Sequence, residues 1–514
     1  MLARVRSFTL LGIEAIPLTV ECDLAMGLPG IHTVGLPDAA VRESAERVRA
    51  ALRNSGFAVP PRRITISLAP ADLRKEGAAL DLPIALGILA ADGKVPATRL
   101  PRLLVGGELG LDGAVRPIRG ALPAALLAHR SGLSDLLLPE ASTREALLAR
   151  GPAVYGVGDI LQAAAVLRGE GRPAEPRSWE EAAAPASPGP DLAEVRGQAH
   201  ARRALEVAAA GGHHLLMVGP PGCGKTMLAR RIPGILPPLT LDEAVEVCCI
   251  YSAAGLLGDG RLPRCRPLRA PHHTISGVGL IGGGRGPRPG EITLAHRGVL
   301  FLDELPEFGR ATLDVLRQPL EEGAVSITRE NRTLRMPARV TLIAAMNPCI
   351  CGNLGRSDRP CGCTPAMVSH YRQRVSGPLL DRFDLQVCVP PVAGRDLSAS
   401  PAGESSAVVA ARVVAARTRQ SERFTGGGAV TNAAMSAALL RRHAQLGPDG
   451  RRLLDLALRR LGLSARAHDG ILRVARTIAD LDGADAIRAE HVGEAVQYRA
   501  FDRGAMVESA GCET

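Results

Sequence analysis

Gly219-Pro220-Pro221-Gly222-Cys223-Gly224-Lys225-Thr226 is the stretch that decides the fold. It fits the pattern G-x-x-x-x-G-K-[ST], whose glycines let backbone N–H groups wrap phosphates at a helix N-terminus. The apolar run Leu215-Leu216-Met217-Val218 precedes it as a strand, and a helix begins around Met227. That strand–loop–helix setting is what the pattern needs. Lys225 is then placed to reach the outer phosphates of a nucleoside triphosphate, and the Thr226 hydroxyl to ligate Mg²⁺.

Working outward, a second apolar strand, Val299-Leu300-Phe301-Leu302, ends in Asp303-Glu304. Acids at the tip of a buried strand are costly unless they meet a cation. Asp303 is the candidate for the Mg²⁺ shell, and Glu304 for orienting or deprotonating an attacking water. A third strand, Val340 to Met346, ends in Asn347, whose amide could position that water. Leu379-Leu380-Asp381-Arg382-Phe383-Asp384 sets an arginine at a turn before another strand. Arg382 is the candidate finger for a neighbouring subunit's ATP, with Arg374 as competitor and a plain surface ion pair as the bland alternative. Arg466, near the start of a later helix, is a candidate sensor of the γ-phosphate in its own subunit. A finger that acts in trans implies an oligomer, most simply a closed ring.

The rest of the chain frames this core. A length of 514 residues is too long for one hydrophobic core. Residues 1–168 alternate strand-like and helix-like runs, with Met1 to Val20 read as a first strand, Arg63 to Leu68 as another and Ala39 to Asn54 as an amphipathic helix. Residues 169–190 are rich in Pro, Ala, Glu and Ser and read as a linker. Residues 191–390 hold the chemistry, and 391–514 read largely as helices. The expected fold class is therefore α/β: a P-loop core with a helical lid, preceded by a second α/β domain.

A formal charge of +10 and a pI near 9.3 suit a polyanionic partner. Aromatic residues make up only 2% of the chain, so bases have few stacking platforms and a nucleic acid would be held by its phosphates. Nearly all the basic residues are arginine; the lysines are Lys75, Lys94 and Lys225. A lysine that survives such a bias marks a place where a guanidinium would not serve. No apolar run reaches membrane-spanning length, the first residues lack a convincing cleavage site, and cysteines are numerous; the expected compartment is the reducing cytoplasm.

Ala324 to Thr328 and Thr333 to Met336 flank the polar run Arg329-Glu330-Asn331-Arg332 and read as a hairpin. Its Arg329, Arg332 and Arg335 could hold DNA phosphates, or could simply be solvated charges. The Gly-rich stretch Ser276 to Gly290, with Arg285 and Arg288, carries the same two readings. His272 and His273 could touch DNA or cap a turn, the turn being preferred. Directly after Asn347, Cys349, Cys351, Cys361 and Cys363 form C-x-C-x₉-C-x-C. Four thiolates could make a tetrahedral Zn²⁺ site, although the C-x-C bite is tighter than usual; free thiols and disulfides are the alternatives.

These motifs, together with Arg269-Ala270-Pro271-His272-His273-Thr274, Met346-Asn347-Pro348-Cys349, Ser376 to Leu385 and Leu463-Ser464-Ala465-Arg466-Ala467, resemble the magnesium-chelatase-related branch of AAA+ ATPases, and within it the ComM/YifB family. The resemblance covers nearly the whole chain. It implies a hexameric, ATP-driven motor that moves branched DNA in recombination and natural transformation, with the hairpin in the ring pore. The alternatives are a chelatase-type motor remodelling a protein partner and a scaffold merely switched by ATP binding. The resemblance also makes residues 1–168 similar to the Lon proteolytic domain, which uses a Ser–Lys pair. Ala79 stands where its serine is expected and Leu122 where its lysine is expected, so no peptide cleavage is expected.

Overall fold

The computed structural model describes residues 1–514 apart from 74, 76, 177, 185–188, 285, 330–331, 357, 392–402, 426–430 and 500–514. Its first sheet is built from β1 (Leu2–Leu11), β2 (Glu14–Ala25), β3 (Gly30–Val34), β4 (Arg63–Ala69) and β5 (Leu103–Val105), with β6 (Glu108–Leu109) and β7 (Val115–Arg116) as a separate ribbon, and then β8 (Asp135–Pro139) and β9 (Ala153–Val157). The seven-stranded order is β3-β4-β2-β1-β5-β8-β9. The opening segment read as one strand is in fact a hairpin: Leu11 pairs with Glu14 across a turn in which Gly12 adopts φ 64°. The helix Ala39–Asn54 starts where the sequence places it, because the Asp38 carboxylate accepts from the Val41 N–H.

The second sheet consists of β10 (Leu215–Val218), β11 (Leu268–Arg269), β14 (Val299–Leu302), β17 (Thr341–Met346) and β18 (Leu385–Cys388). Between them lie two ribbons, β12 (Gly282–Gly283) with β13 (Arg288–Pro289), and β15 (Ala324–Arg329) with β16 (Arg332–Pro337). The order is β11-β14-β17-β10-β18 and every pairing is parallel. Parallel strands are covered on both faces, which is why they read as unbroken apolar runs. Leu215, Met217, Phe301, Ile343 and Val387 face one core, shared with helices Ala199–Gly211 and Ala465–Leu481. Leu216, Val218, Leu300, Leu342 and Met346 face the other, against Phe308, Val325, Tyr371 and Phe383.

The helical C-terminal part is tied to the first of these faces. Ser464 caps helix Ala465–Leu481, whose Ile471, Val474 and Ile478 are wholly buried. His213, just before β10, bonds Asp384 through Nδ1 (2.9 Å) and Thr477 through Nε2 (2.8 Å), joining sheet and lid. The first sheet also shares a core with the helix Leu241–Ala254 that follows β10: Leu104, Ala124 and Leu136 cluster with Ala244, Cys248 and Leu262. Gly120 N–H donates to the Ser252 carbonyl (3.2 Å), and the Ser252 hydroxyl bonds Glu145, whose carboxyl burial pushes up. The stretch read as a linker runs between the two sheets under restraint. Ala174 N–H donates to Val154 and Ala184 N–H to Leu262. Among the described residues, no helix is long and apolar enough to cross a membrane.

Candidate active site

The strand order puts three motifs at neighbouring strand ends. β10 runs into Gly219–Thr226, β14 into Asp303-Glu304, and β17, between them, into Asn347. Ligands of open parallel sheets bind at this carboxyl edge, where the chain order reverses. Gly219 is indispensable there, since a Cβ would lie 2.2 Å from the Val389 carbonyl oxygen. Gly222 (φ 78°) and Gly224 (φ 95°) supply the left-handed turns that bend the loop into the helix beginning at Lys225.

Lys225 is nearly buried, and its ammonium donates to the carbonyls of Gly219 (2.6 Å) and Pro220 (2.9 Å) and to Asn347 Oδ1 (3.3 Å). Thr226 Oγ1 donates to Asp303 Oδ2 at 2.6 Å, and the Glu304 N–H to Asp303 Oδ1 at 3.0 Å. Hydroxyl and carboxylate oxygens in contact are the hard donor set that Mg²⁺ takes. Glu304 itself sits at φ 53°, a left-handed conformation costing about 1 kcal/mol or more in a residue with a Cβ. The turn leaves its carboxylate more than half exposed beyond the strand end.

His273 Nδ1 lies 3.6 Å from Glu304 Oε2, and its ring packs against that of His272, tilted by 33° with centroids 4.1 Å apart. Sequence reasoning missed this contact. Its signal was the His272-His273 pair inside Arg269 to Thr274, with nothing to say which strand end it would meet. His272 does organise the turn: its Nδ1 accepts from the Thr274 N–H at 3.4 Å.

The arginines fall elsewhere. Arg382 and Arg466 both bind Glu321, Arg466 at 2.7 Å. Burial pulls the Arg382 guanidinium's pKa down, with the Arg466 and Arg317 charges adding to this and Glu321 opposing it. Arg374 pairs with Glu307 at 3.1 Å. Arg466, the candidate sensor, shares the Glu321 carboxylate with the candidate finger.

Of the hairpin arginines, Arg335 is exposed on β16 opposite Ser326. Arg329 and Arg332 form the last backbone pair of the ladder rather than part of a loose tip. Their side chains, like Arg285, lie outside what is described. In the N-terminal sheet domain, Leu122 is wholly buried and its N–H donates to Glu145 (3.0 Å). Ala79 lies in the short turn Ala78–Leu80.

The four cysteines after Asn347 converge. Cys349 Sγ is 3.4 Å from Cys351 Sγ and 3.7 Å from Cys361 Sγ, with 3.6 Å between the latter two. All four sulfurs, that of Cys363 included, lie within 4.8 Å of one another.

A five-stranded parallel sheet of this order, with a phosphate loop, an acidic strand end and a helical lid, defines an AAA+ P-loop protein. Three family descriptions match the chain: magnesium chelatase, subunit ChlI, over residues 191–397; subunit ChlI of Mg-chelatase over 20–142; and the ChlI C-terminal region over 403–499. The chain is 44% identical to the uncharacterized protein YifB of Salmonella typhimurium, over 98% of each chain. Against YifB of Escherichia coli K12 the identity is 45% over 96% of each. Competence protein ComM of Haemophilus influenzae is 43% identical, again over 98% of both. The chain belongs to this ComM/YifB family of magnesium-chelatase-like AAA+ proteins.

Proposed function

We propose that this protein is an ATPase working as a ring of identical subunits, a hexamer by family resemblance, that moves DNA, with branched recombination intermediates as its substrate. The observation carrying the ATPase reading is the meeting of Lys225, Thr226, Asp303, Glu304 and Asn347 at three adjacent strand ends. Thr226 and Asp303 would hold Mg²⁺, which when bound neutralises charge developing on the phosphates. Lys225 supplies a second positive charge at the same place. Glu304 accepts the proton of the attacking water, and Asn347, held by Lys225, orients that water. Arg382 completes the site of the neighbouring subunit, and Arg466 senses the γ-phosphate in its own. Residues 1–168 serve as scaffold, 169–190 as connector, 191–390 as motor and 391–514 as lid.

The DNA assignment is supported by the net charge of +10, by Arg335 and its hairpin neighbours, and by similarity to a protein named for competence. The matched chelatase descriptions favour a second reading, a motor that remodels a protein partner. To separate them, purified protein with Mg²⁺ and ATP is mixed with a labelled synthetic branched DNA, beside a Lys225→Ala control. Strand release that needs ATP and Lys225 supports the DNA motor. ATP hydrolysis indifferent to DNA, with no release, overturns it in favour of the protein partner.

A further inference from the structure

The loop between Asn347 and helix Pro365–Gln373 has almost no core of its own: among the described residues of 350–364, only Gly352 is buried. Yet the loop is compact. Its turns close through Gly352 N–H to Cys349 O (3.0 Å) and Arg356 N–H to Asn353 O (3.0 Å), and the four thiols gather at one point. Four thiolates at about 2.3 Å from a central zinc ion stand at the corners of a tetrahedron, whose edge is then about 3.8 Å. The sulfur–sulfur distances of 3.4, 3.6 and 3.7 Å lie close to that edge, and far outside the roughly 2.05 Å of a disulfide. Backbone N–H groups of Leu354, Asn353 and Cys363 point at Cys349, Cys351 and Cys361 respectively, the support that bound thiolates need.

We propose that Cys349, Cys351, Cys361 and Cys363 hold one zinc ion, and that this staple fixes the end of β17 against the phosphate loop. All-sulfur tetrahedral ligation selects zinc over Mg²⁺ or Ca²⁺, and a set with no open position is structural rather than catalytic. The contact that carries the second half is Gly352, at φ 75°, where a Cβ would lie 2.5 Å from Pro221 Cδ. The knuckle therefore lies directly on the phosphate loop. Its first ligand, wholly buried Cys349, follows Asn347 after one proline, whose carbonyl accepts from Arg372 at 3.4 Å. Asn347 is in turn the acceptor for Lys225. One ion thus braces both partners of the Lys225–Asn347 hydrogen bond. This second half rests on the ATPase reading above; the metal site does not.

The test uses the full-length protein. Metal analysis by mass spectrometry is expected to give one zinc per chain, falling to well under half in Cys351→Ser and Cys363→Ser, whose circular dichroism stays that of the parent. Protein exchanged into Co²⁺ is expected to show the visible bands of tetrahedral thiolate cobalt. Folded parent protein with no metal and four freely titrating thiols overturns the site, and iron in place of zinc overturns the ion. In the Cys variants kcat for ATP is expected to fall about tenfold, the lower end of the range for losing metal-site support. An unchanged kcat in zinc-free variants overturns the brace while leaving the site. Zinc retained in a protein whose hydrolysis ignores Lys225→Ala would overturn the ATPase reading and not the site.

Discussion

At the residue scale, the adjacent Asp303 and Glu304 meet different partners. The Glu304 carboxylate is held outward by a left-handed turn, while Asp303 accepts from the Thr226 hydroxyl and the Glu304 N–H. Glu304→Gln is therefore expected to cut kcat by about 10² or more while ATP still binds, measured by steady-state turnover beside nucleotide titration. His273, 3.6 Å from the exposed Glu304 carboxylate, is placed to restrain it. His273→Ala is expected to lower kcat several-fold and leave the KM for ATP near the parent's, and a change confined to KM would remove it from this role. The first expectation was legible in the sequence, because acid and strand are contiguous. The second was not, since Glu304 and His273 meet only after β11 and β14 pair.

At the element scale, the central sheet is pinned by two histidines that must stay neutral. His214 Nδ1 accepts the Leu342 N–H of β17 (3.0 Å), while its carbonyl accepts the Leu385 N–H of β18. Burial holds its pKa down to about 4, with the His213 and Arg382 charges pushing the same way and Asp384 opposing. His296, also lowered to about 4 and chiefly by burial, accepts the Arg339 N–H (3.0 Å). Both folded values lie below the ordinary 6.5, so the unfolded chain takes up protons first as pH falls. Stability is expected to be fully present above pH 6.5 and to decline towards pH 4, read as a falling Tm across that window. A flat Tm would exclude these two histidines as the cause. Strand positions here were legible because a run buried on both faces is unbroken and apolar. The opening hairpin was not, because Gly12 and Ile13 interrupt an otherwise continuous strand-like pattern only briefly.

At the scale of the whole molecule, the ring proposed above requires Arg382 to complete the site of a neighbouring chain. Arg382 and Arg466 converge on Glu321 although they are 61 and 145 residues from it in sequence. Proteins carrying Arg382→Ala or Lys225→Ala alone are each expected to be inactive. Mixed in equal amounts, they are expected to regain part of the ATPase rate, because some interfaces then pair an intact Lys225 with an intact Arg382. If mixing restores nothing although the mixed ring assembles, the trans role is overturned.

The sequence by itself determined the class of the protein and the motifs that its strand ends carry. Gly219 to Thr226, Asp303-Glu304 and Asn347 are short contiguous motifs at strand ends, where local chemistry and hydrophobic pattern suffice. Only the tertiary structure decided which groups stand beside them: His273 at Glu304, Arg466 with Arg382 on Glu321, Gly352 on Pro221, four sulfurs at one point. The physical reason is the strand order β11-β14-β17-β10-β18, which makes neighbours of strands that are not consecutive in the chain. Local pattern sets what each segment is, and the packing of segments distant in sequence sets what it touches.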